Sequence, residues 1–366
     1  MPAVRASLIL VLGALALLAV APLSEAAPRK APRGFYGVMW DRGASQASEA
    51  EQTRQWDLMA ASGVETVRTA FSWKQAQPEE GGPFNFRLTD RYVALASARN
   101  IRILPVVFET PRWAALDGKN GAQPARVADY VAYLEALVRR YGPQGSFWAE
   151  NPALPSKPLR EWQIWNEPHL DWYWRADGAD IWAQGYATLL RASNAALERL
   201  DPGSVTVLAG LADFVWLHLR KLYRAGIRGH YDVAAMNFFT TRPRLVLKGL
   251  RQVRAQLRRV GDRRKPIWLT EVTWPASKGR VNKPRPAWQR AWETTDSGAA
   301  RRLTQFYELA VRARRRFRLG RAYWYTWSSA FSESDLFDYS GLVRWRGGSY
   351  QAQPALRAFA RSARRH

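Results

Sequence analysis

The sequence predicts an α/β fold in which one large domain forms a (β/α)8 barrel. Eight short apolar and aromatic segments alternate with amphipathic helical segments, an order typical of parallel strands joined by helical crossovers. A glutamate stands two residues after the fourth segment and at the end of the seventh, and these two residues, Glu167 and Glu271, lie 104 positions apart. Because the loops after the carboxyl ends of barrel strands form the functional face, we expect both carboxyl groups there.

The predicted strands are short runs dominated by apolar, β-branched and aromatic residues. They cover residues 35–40, 65–71, 102–108, 161–165, 205–210, 233–238, 267–271 and 322–327. Eight strands are the number that closes a barrel of this kind. The runs that lead to the two glutamates have the composition of buried strands.

The segments between the strands show helical periodicity. They cover residues 48–62, 89–99, 127–140, 179–200, 215–225, 243–260, 296–317 and 353–364. We expect Thr89-Asp90 to cap the second helix, and Asp201-Pro202-Gly203 to end the fourth because it cannot continue a helix.

The longest predicted connections are 110–126, 141–160, 274–295 and 328–341, and three of these four follow the carboxyl end of a strand. Insertions at that end, rich in aromatic residues, are expected to form the substrate site. An exposed ring in such a loop has little reason to exist without a ligand. The candidate ligand-binding rings are Trp172, Trp174, Trp288 and Trp292, together with Tyr173.

The N-terminus has the features of a secretory signal. Arg5 precedes an apolar stretch from Leu8 to Val20, and Ser24-Glu25-Ala26 fits a small-x-small cleavage site. The stretch is shorter than the ~20 residues of a spanning helix, so an uncleaved anchor is the weaker alternative. We therefore expect residues 1–26 to be removed and residues 27–366 to form a single extracellular domain, a monomer that meets a membrane only through its signal.

Net charge is +24, with arginine dense in residues 251–264 and 312–318, which suggests nucleic acid, a membrane surface or an anionic polymer as a partner. Leu250, Val253 and Leu257 recur at helical spacing in the first run, however, so the arginines are expected to coat outward helix faces. Neither run has interleaved stacking aromatics, and we expect no specific nucleic-acid binding. The charge also suits attachment to an acidic cell surface.

Glu167 and Glu271 predict chemistry on a carbohydrate. Retaining cleavage of a glycosidic bond needs a carboxylic acid and a carboxylate about 5 Å apart, which two strand ends of one barrel can supply. The structural alternative is a buried glutamate paired with an arginine. The four histidines show no metal-ligand spacing, and the chain has no phosphate-binding glycine loop, no serine nucleophile elbow and no cysteine, so we expect neither metal, cofactor nor disulfide.

The segment Trp165-Asn166-Glu167-Pro168 resembles the acid/base motif of the clan A glycoside hydrolases, a superfamily of retaining TIM-barrel enzymes. Nearly the whole chain after the signal takes part in this resemblance, including Thr110-Pro111-Arg112-Trp113-Ala114 and Leu269-Thr270-Glu271. The segment from Asn166 to Trp174 is similar to that of bacterial members near families 39 and 5.

The resemblance implies a role for each matching residue. Glu167 would be the acid/base, Glu271 the nucleophile and Asn166 a ligand of the sugar 2-hydroxyl, while Arg68 would hold Glu271 ionised. Trp327 would form the platform under the sugar, with a place in the core as the alternative.

The sixth strand departs from the family pattern. It reads Met236-Asn237-Phe238-Phe239, where many relatives carry a tyrosine whose hydroxyl bonds the nucleophile. Asn237, Tyr323 or Tyr325 are candidates to replace that hydroxyl. Glu109, after the third strand, is expected either to contact substrate or to form an ion pair with Arg112 or Arg68.

The sequence thus predicts a secreted retaining hydrolase of a β-linked oligosaccharide or polysaccharide. Two alternatives remain open at this point. One is a transglycosylase acting through the same intermediate, and the other is a catalytically silent barrel that binds carbohydrate. The sequence leaves the sugar and its linkage undetermined.

Overall fold

Eight parallel strands form the centre of the molecule. The computed structural model describes residues 30–40, 47–174, 181–281, 284–329, 335–346 and 349–365, so the predicted signal lies outside the described residues. The strands are β1 (Tyr36–Met39), β2 (Thr66–Ser72), β3 (Arg102–Phe108), β4 (Glu161–Ile164), β5 (Val205–Val207), β6 (Ala234–Asn237), β7 (Ile267–Val272) and β8 (Leu319–Tyr325).

The strands follow one another around a closed ring. Their order in the sheet is β5-β4-β3-β2-β1-β8-β7-β6, and parallel bridges from Val207 to Val233 and from Leu211 to Met236 join the two ends. The predicted (β/α)8 barrel is therefore confirmed.

Helices cover the outside of the barrel. They are α1 (Glu49–Ala61), α2 (Trp73–Ala76), α3 (Arg87–Ala98), α4 (Val127–Tyr141), α5 (Ser146–Glu150), α6 (Ile181–Leu200), α7 (Val215–Arg224), α8 (Pro243–Arg259), α9 (Ala287–Trp292), α10 (Asp296–Phe317) and α11 (Pro354–Arg365). The eight long helices match the predicted ones, whereas the short α2, α5 and α9 lie in segments predicted as loops. No helix in the described ranges is both long and apolar enough to cross a membrane.

Two local predictions need correction. Helix α3 begins at Arg87, before the predicted cap, and the Thr89 hydroxyl donates instead to the carbonyl of Phe86 at 3.1 Å. The predicted loop 328–341 contains strand β9 (Ser328–Ser329), which pairs with β10 (Val343–Arg346), and β10 pairs in turn with β11 (Ser349–Ala352).

The amino end of the barrel is filled by packed side chains. Leu104, Val207, Val233, Ala235, Trp268 and Tyr323 form one buried cluster there. Gly37 in β1 lets the Tyr323 ring approach, since a Cβ at that position would lie 2.4 Å from the ring. The barrel is thus closed at its amino end, and any substrate must enter from the carboxyl end.

Candidate active site

Glu167 reaches the barrel interior through a sharp turn after β4. Trp165 and Glu167 have φ angles of 66° and 43°, in the left-handed region that is costly for residues other than glycine. The turn directs two successive side chains inward: Asn166 Oδ1 accepts from Arg68 Nη2 at 2.8 Å, and Glu167 Oε1 accepts from Asn237 Nδ2 at 2.8 Å. A regular strand would have pointed one of them outward.

Glu271 lies on β7, where the pairing with β8 shifts between Leu269 and Val272. Such a bulge re-aims side chains. The Thr270 hydroxyl donates to Asn237 Oδ1 at 2.8 Å, while Glu271 Oε1 accepts from Arg68 Nη1 at 2.7 Å. Both neighbouring side chains therefore face the interior, as they do after β4.

Arg68 on β2 connects the two glutamate-bearing strands. Its side chain is fully buried, and its Nε donates to Gln163 Oε1 at 2.6 Å in addition to the bonds to Glu271 and Asn166. The Gln163 amide is itself held by the carbonyl of Leu208 at 3.0 Å. These bonds hold the guanidinium in a fixed orientation, with its Nη1 directed at the Glu271 carboxylate.

Asn237, at the end of β6, was expected to hydrogen-bond Glu271, but its partner is Glu167. Its amide donates to Glu167 Oε1 at 2.8 Å, with a longer contact of 3.4 Å to Asn166 Oδ1. Tyr323 is also not at the nucleophile, because its hydroxyl lies 3.1 Å from Thr66 Oγ1 at the amino end. Tyr325, unlike Tyr323, ends its strand at the mouth of the barrel, where its ring centroid lies 6.3 Å from that of Phe239.

The two carboxyl groups differ in charge state. Burial and, next, repulsion by Glu271 raise the pKa of Glu167 to about 8, against smaller opposing effects of the Asn237 hydrogen bond and of Arg68. The guanidinium paired with Glu271 favours the ionised form of that carboxyl group. At neutral pH the site therefore holds one carboxylic acid and one carboxylate.

Asp213, which the sequence analysis did not single out, also acts on Glu167. It lies after β5 in a left-handed conformation with φ 54°, is exposed, and makes no ion pair with the other described residues. Although the side chain reaches solvent, the protein around its carboxyl group removes part of the hydration and raises its pKa, and its charge contributes to the raised pKa of Glu167. An available signal was its position three residues after the fifth predicted strand, comparable to Glu109 after the third.

The candidate aromatic residues separate into buried and exposed ones. Trp327 is 0% exposed and its Nε1 donates to Gln55 Oε1 at 2.8 Å, so no face of the ring is free for a sugar and the platform expectation is corrected. Trp174 and Trp292 are 5% and 3% exposed and belong to the core. Trp172 and Trp288, in contrast, are 67% and 60% exposed, so their rings are free to stack on a ligand.

Glu109 forms an ion pair that was not among the expected ones. Its Oε1 lies 2.9 Å from Lys74 Nζ at the carboxyl end of the barrel, and neither Arg112 nor Arg68 is the partner. Lys74 lies on α2, immediately after β2 and far from Glu109 in the sequence. The residues around Glu109 therefore gave no sign that Lys74 would be its partner. Both side chains are partly exposed, so the pair lies at the edge of the site and not among its buried residues.

Two histidines pack together behind the turn that carries Glu167. The rings of His169 and His218 are 4.2 Å apart, and burial lowers their pKa values to about 3 and about 4. Among the described residues no three or more histidine and acidic side chains cluster as metal ligands would.

Comparisons with known proteins concern the fold and one segment of the chain. Residues 44–132 match the glycoside hydrolase 42 family model, described as beta-galactosidase. No curated protein matches the chain by sequence. The fold resembles the monomeric beta-xylosidase of Caulobacter crescentus CB15, with 15% identity and a TM-score of 0.61 over 90% of this chain and 67% of that one.

Two further structures share the barrel. A family 39 glycoside hydrolase of Bacteroides cellulosilyticus WH2 gives 16% identity and a TM-score of 0.63 over 92% of this chain and 64% of that one. The GH53 catalytic domain of Ignisphaera aggregans gives 18% identity and a TM-score of 0.56 over 89% and 95%. The barrel fold that the resemblance to clan A glycoside hydrolases implied is confirmed. The chain spans only about two thirds of the first two proteins.

Proposed function

We propose that this chain is a secreted retaining hydrolase of a β-linked glycoside or polysaccharide, with Glu167 as acid/base and Glu271 as nucleophile. One observation carries the proposal: a carboxylic acid and an arginine-paired carboxylate share one buried network at the open end of the barrel. Secretion is inferred from the features of residues 1–26 alone.

In the first step, a carboxylate oxygen of Glu271 attacks the anomeric carbon while the bond to the leaving oxygen breaks. Glu167 transfers its proton to that oxygen, and a glycosyl ester on Glu271 results. A pKa of about 8 keeps the required proton on Glu167 at neutral pH.

In the second step, Glu167 accepts a proton from water as the water oxygen attacks the anomeric carbon and the ester bond breaks. Ester formation has meanwhile neutralised Glu271, which removes the repulsion that had raised the pKa of Glu167. The same side chain is thereby converted from acid to base.

Asn166 is placed to hold the sugar during both steps. Its Oδ1 is occupied by Arg68, and within the described residues its side-chain NH2 group donates no hydrogen bond. That amide is therefore free to donate to a hydroxyl next to the anomeric carbon.

The test combines covalent trapping with two substitutions. A 2-deoxy-2-fluoro glycoside is expected to label Glu271, because the fluorine slows ester hydrolysis. Glu271→Gln should abolish turnover, whereas Glu167→Gln should spare the first step for substrates with good leaving groups, which need no proton. Wild-type rates in both variants on a cleaved substrate would refute the assignment.

The same experiments separate the alternatives. Products longer than the supplied oligosaccharide would identify a transglycosylase acting through the same ester. A failure to label Glu271 with any of several sugars, together with retained binding of those sugars, would identify a silent carbohydrate-binding barrel.

A further inference from the structure

Positive charge is concentrated in one half of the barrel. Residues 47–200 contain 17 basic residues (lysine or arginine) and 18 acidic ones. Residues 201–366 contain 33 basic residues and 11 acidic ones. The second half therefore has a net charge of +22, nearly the whole charge of the chain. An outward solvated face, the account favoured by the sequence, does not explain why the two halves differ so strongly.

The two halves also differ in how their arginines are paired. On the helices of the first half, arginines meet acidic partners: Arg99 binds Asp57 at 2.7 Å, and Arg140 binds Asp90 at 2.8 Å. Helices α8 and α10 carry eleven arginines, and none of these forms an ion pair with another described residue. Their mutual repulsion is not compensated within the described part of the protein.

These two helices border a groove of about 410 Å³ on the surface. Its lining residues are Arg242, Pro243, Arg244, Arg302, Gln305, Glu308, Leu309 and Arg312. Arg302 is partly buried, and both its burial and the charges of Arg242 and Arg301 lower its pKa. A bound anion would relieve this crowding of like charges.

The groove adjoins the candidate active site. The turn from Asn237, at the end of β6, reaches Arg242 after four residues. Arg302 Nη1 donates to the carbonyl of Trp292 at 2.7 Å, and the Trp292 ring lies 5.1 Å from that of Phe239, beside the mouth of the barrel. A polymer that leaves the catalytic centre on this side would pass directly onto the arginines.

The chemistry of the groove indicates the type of polymer. Of the 33 basic residues in the second half, 28 are arginines, whose forked guanidinium binds a planar carboxylate with two parallel hydrogen bonds. Among the described residues that line the groove there is no aromatic ring, which stacking of nucleic-acid bases would require. We propose that the groove between α8 and α10 binds the carboxylate groups of an acidic polysaccharide that extends from the active site. The choice of a polysaccharide rests on the proposed function.

The experiment measures retention of the protein on immobilised polymannuronate, a β-linked polymer with one carboxylate on each sugar. The Glu271→Gln background prevents turnover, so binding is measured independently of catalysis. In this background, the triple substitution Arg242→Gln, Arg244→Gln and Arg312→Gln is compared with Arg258→Gln, Arg259→Gln and Arg315→Gln. The control removes the same charge from exposed positions of the same two helices outside the groove.

We expect the groove variant to lose about tenfold or more in affinity, and the control about twofold, because only close contacts survive screening at a Debye length of ~8 Å. Equal losses in both variants would overturn the proposal in favour of general charge attraction. Equal or tighter groove-dependent binding of polyphosphate or duplex DNA would overturn the choice of a carboxylated glycan. Groove-dependent binding together with failed labelling of Glu271 would refute the catalytic proposal and leave the groove intact.

Discussion

The barrel holds an arginine and glutamate pair with a buried arginine at each end, and we propose different roles for the two pairs. At the amino end, Arg321 binds Glu161 through both of its terminal nitrogens and lies 4.0 Å from the centroid of the Trp268 ring. At the carboxyl end, Arg68 binds Glu271. Each pair joins distant strands, and each has its arginine almost fully buried.

What distinguishes the carboxyl end is a second carboxyl group without a cationic partner. Glu167 is buried within the electrostatic reach of Glu271, so its proton is retained up to about pH 8. The amino end has no such group in contact with Arg321 and Glu161 among the described residues. A buried ion pair alone therefore indicates structure, whereas a buried pair next to a protonated acid indicates acid and nucleophile chemistry.

The strongest test of this comparison replaces each buried arginine by lysine. Arg68→Lys keeps the positive charge but loses the fork that bonds Glu271 and Asn166 together, so kcat/KM should fall by about 100-fold or more, the size expected for misplaced reacting groups. The measurement is steady-state hydrolysis of a chromogenic glycoside that the wild type cleaves.

Arg321→Lys is the matched control at the other end. It should lower Tm, because the lysine cannot reproduce the double contact to Glu161, while it changes kcat/KM little at temperatures where the protein is folded. Similar activity losses in the two variants would remove the distinction between the two ends.

A second prediction concerns stability as a function of pH. The pKa of Glu167 is about 8 in the folded protein and 4.5 ordinarily, so between these pH values the folded state keeps a proton that the unfolded state releases. Stability of the wild type is therefore lost as pH rises through this window. Glu167→Gln has no proton to retain at this position and so lacks this pH dependence. The Tm of the variant should therefore rise relative to the Tm of the wild type as the pH increases from 4.5 to 8. A constant difference would show that Glu167 is not held protonated.

Much of the fold and both glutamates were predictable from the sequence. Three signals in the sequence are local. They are the continuous apolar character of the strand segments, the helical periodicity between them and the motif around Glu167, and each predicts its element without any information on which residues it contacts in the fold. The position of Glu271 at the end of a strand followed in the same way. These signals were sufficient to place the two carboxyl groups at the open end of one barrel.

Other parts of the site depend on contacts that no local pattern contains. Asn237 donates its side-chain amide to Glu167, although its backbone pairs with Glu271 next to a register shift between β6 and β7. Trp327 looked like a sugar platform, but tertiary packing buries it against Gln55 on α1. Lys74 reaches the rim by pairing with Glu109, and Glu109 and Asp213 both occupy left-handed backbone positions that a sequence without glycine there does not indicate.

A third prediction uses Asn237, which stabilises the ionised form of Glu167. Asn237→Leu removes the hydrogen bond at 2.8 Å, so the pKa of Glu167 should rise and the alkaline limb of the kcat/KM profile should move to higher pH. We expect a shift of about one pH unit, since a hydrogen bond to a charged group contributes about 1.5–3 kcal/mol and one unit corresponds to about 1.4 kcal/mol. An unchanged or lower limb would show that this bond does not tune the acid.

The smallest predicted effect has the opposite sign and tests whether Asp213 belongs to the carboxyl-end network. Asp213→Asn removes a negative charge that raises the pKa of Glu167, so the alkaline limb should move to lower pH. A shift of about 0.3 units is expected for an exposed, screened charge. Asparagine tolerates the left-handed backbone at this position, which keeps the turn intact. The control variant Asp117→Asn removes the same charge from an exposed position in the loop after β3, and it should leave the alkaline limb in place. Equal shifts in the two variants would show that Asp213 acts only through the overall charge of the protein.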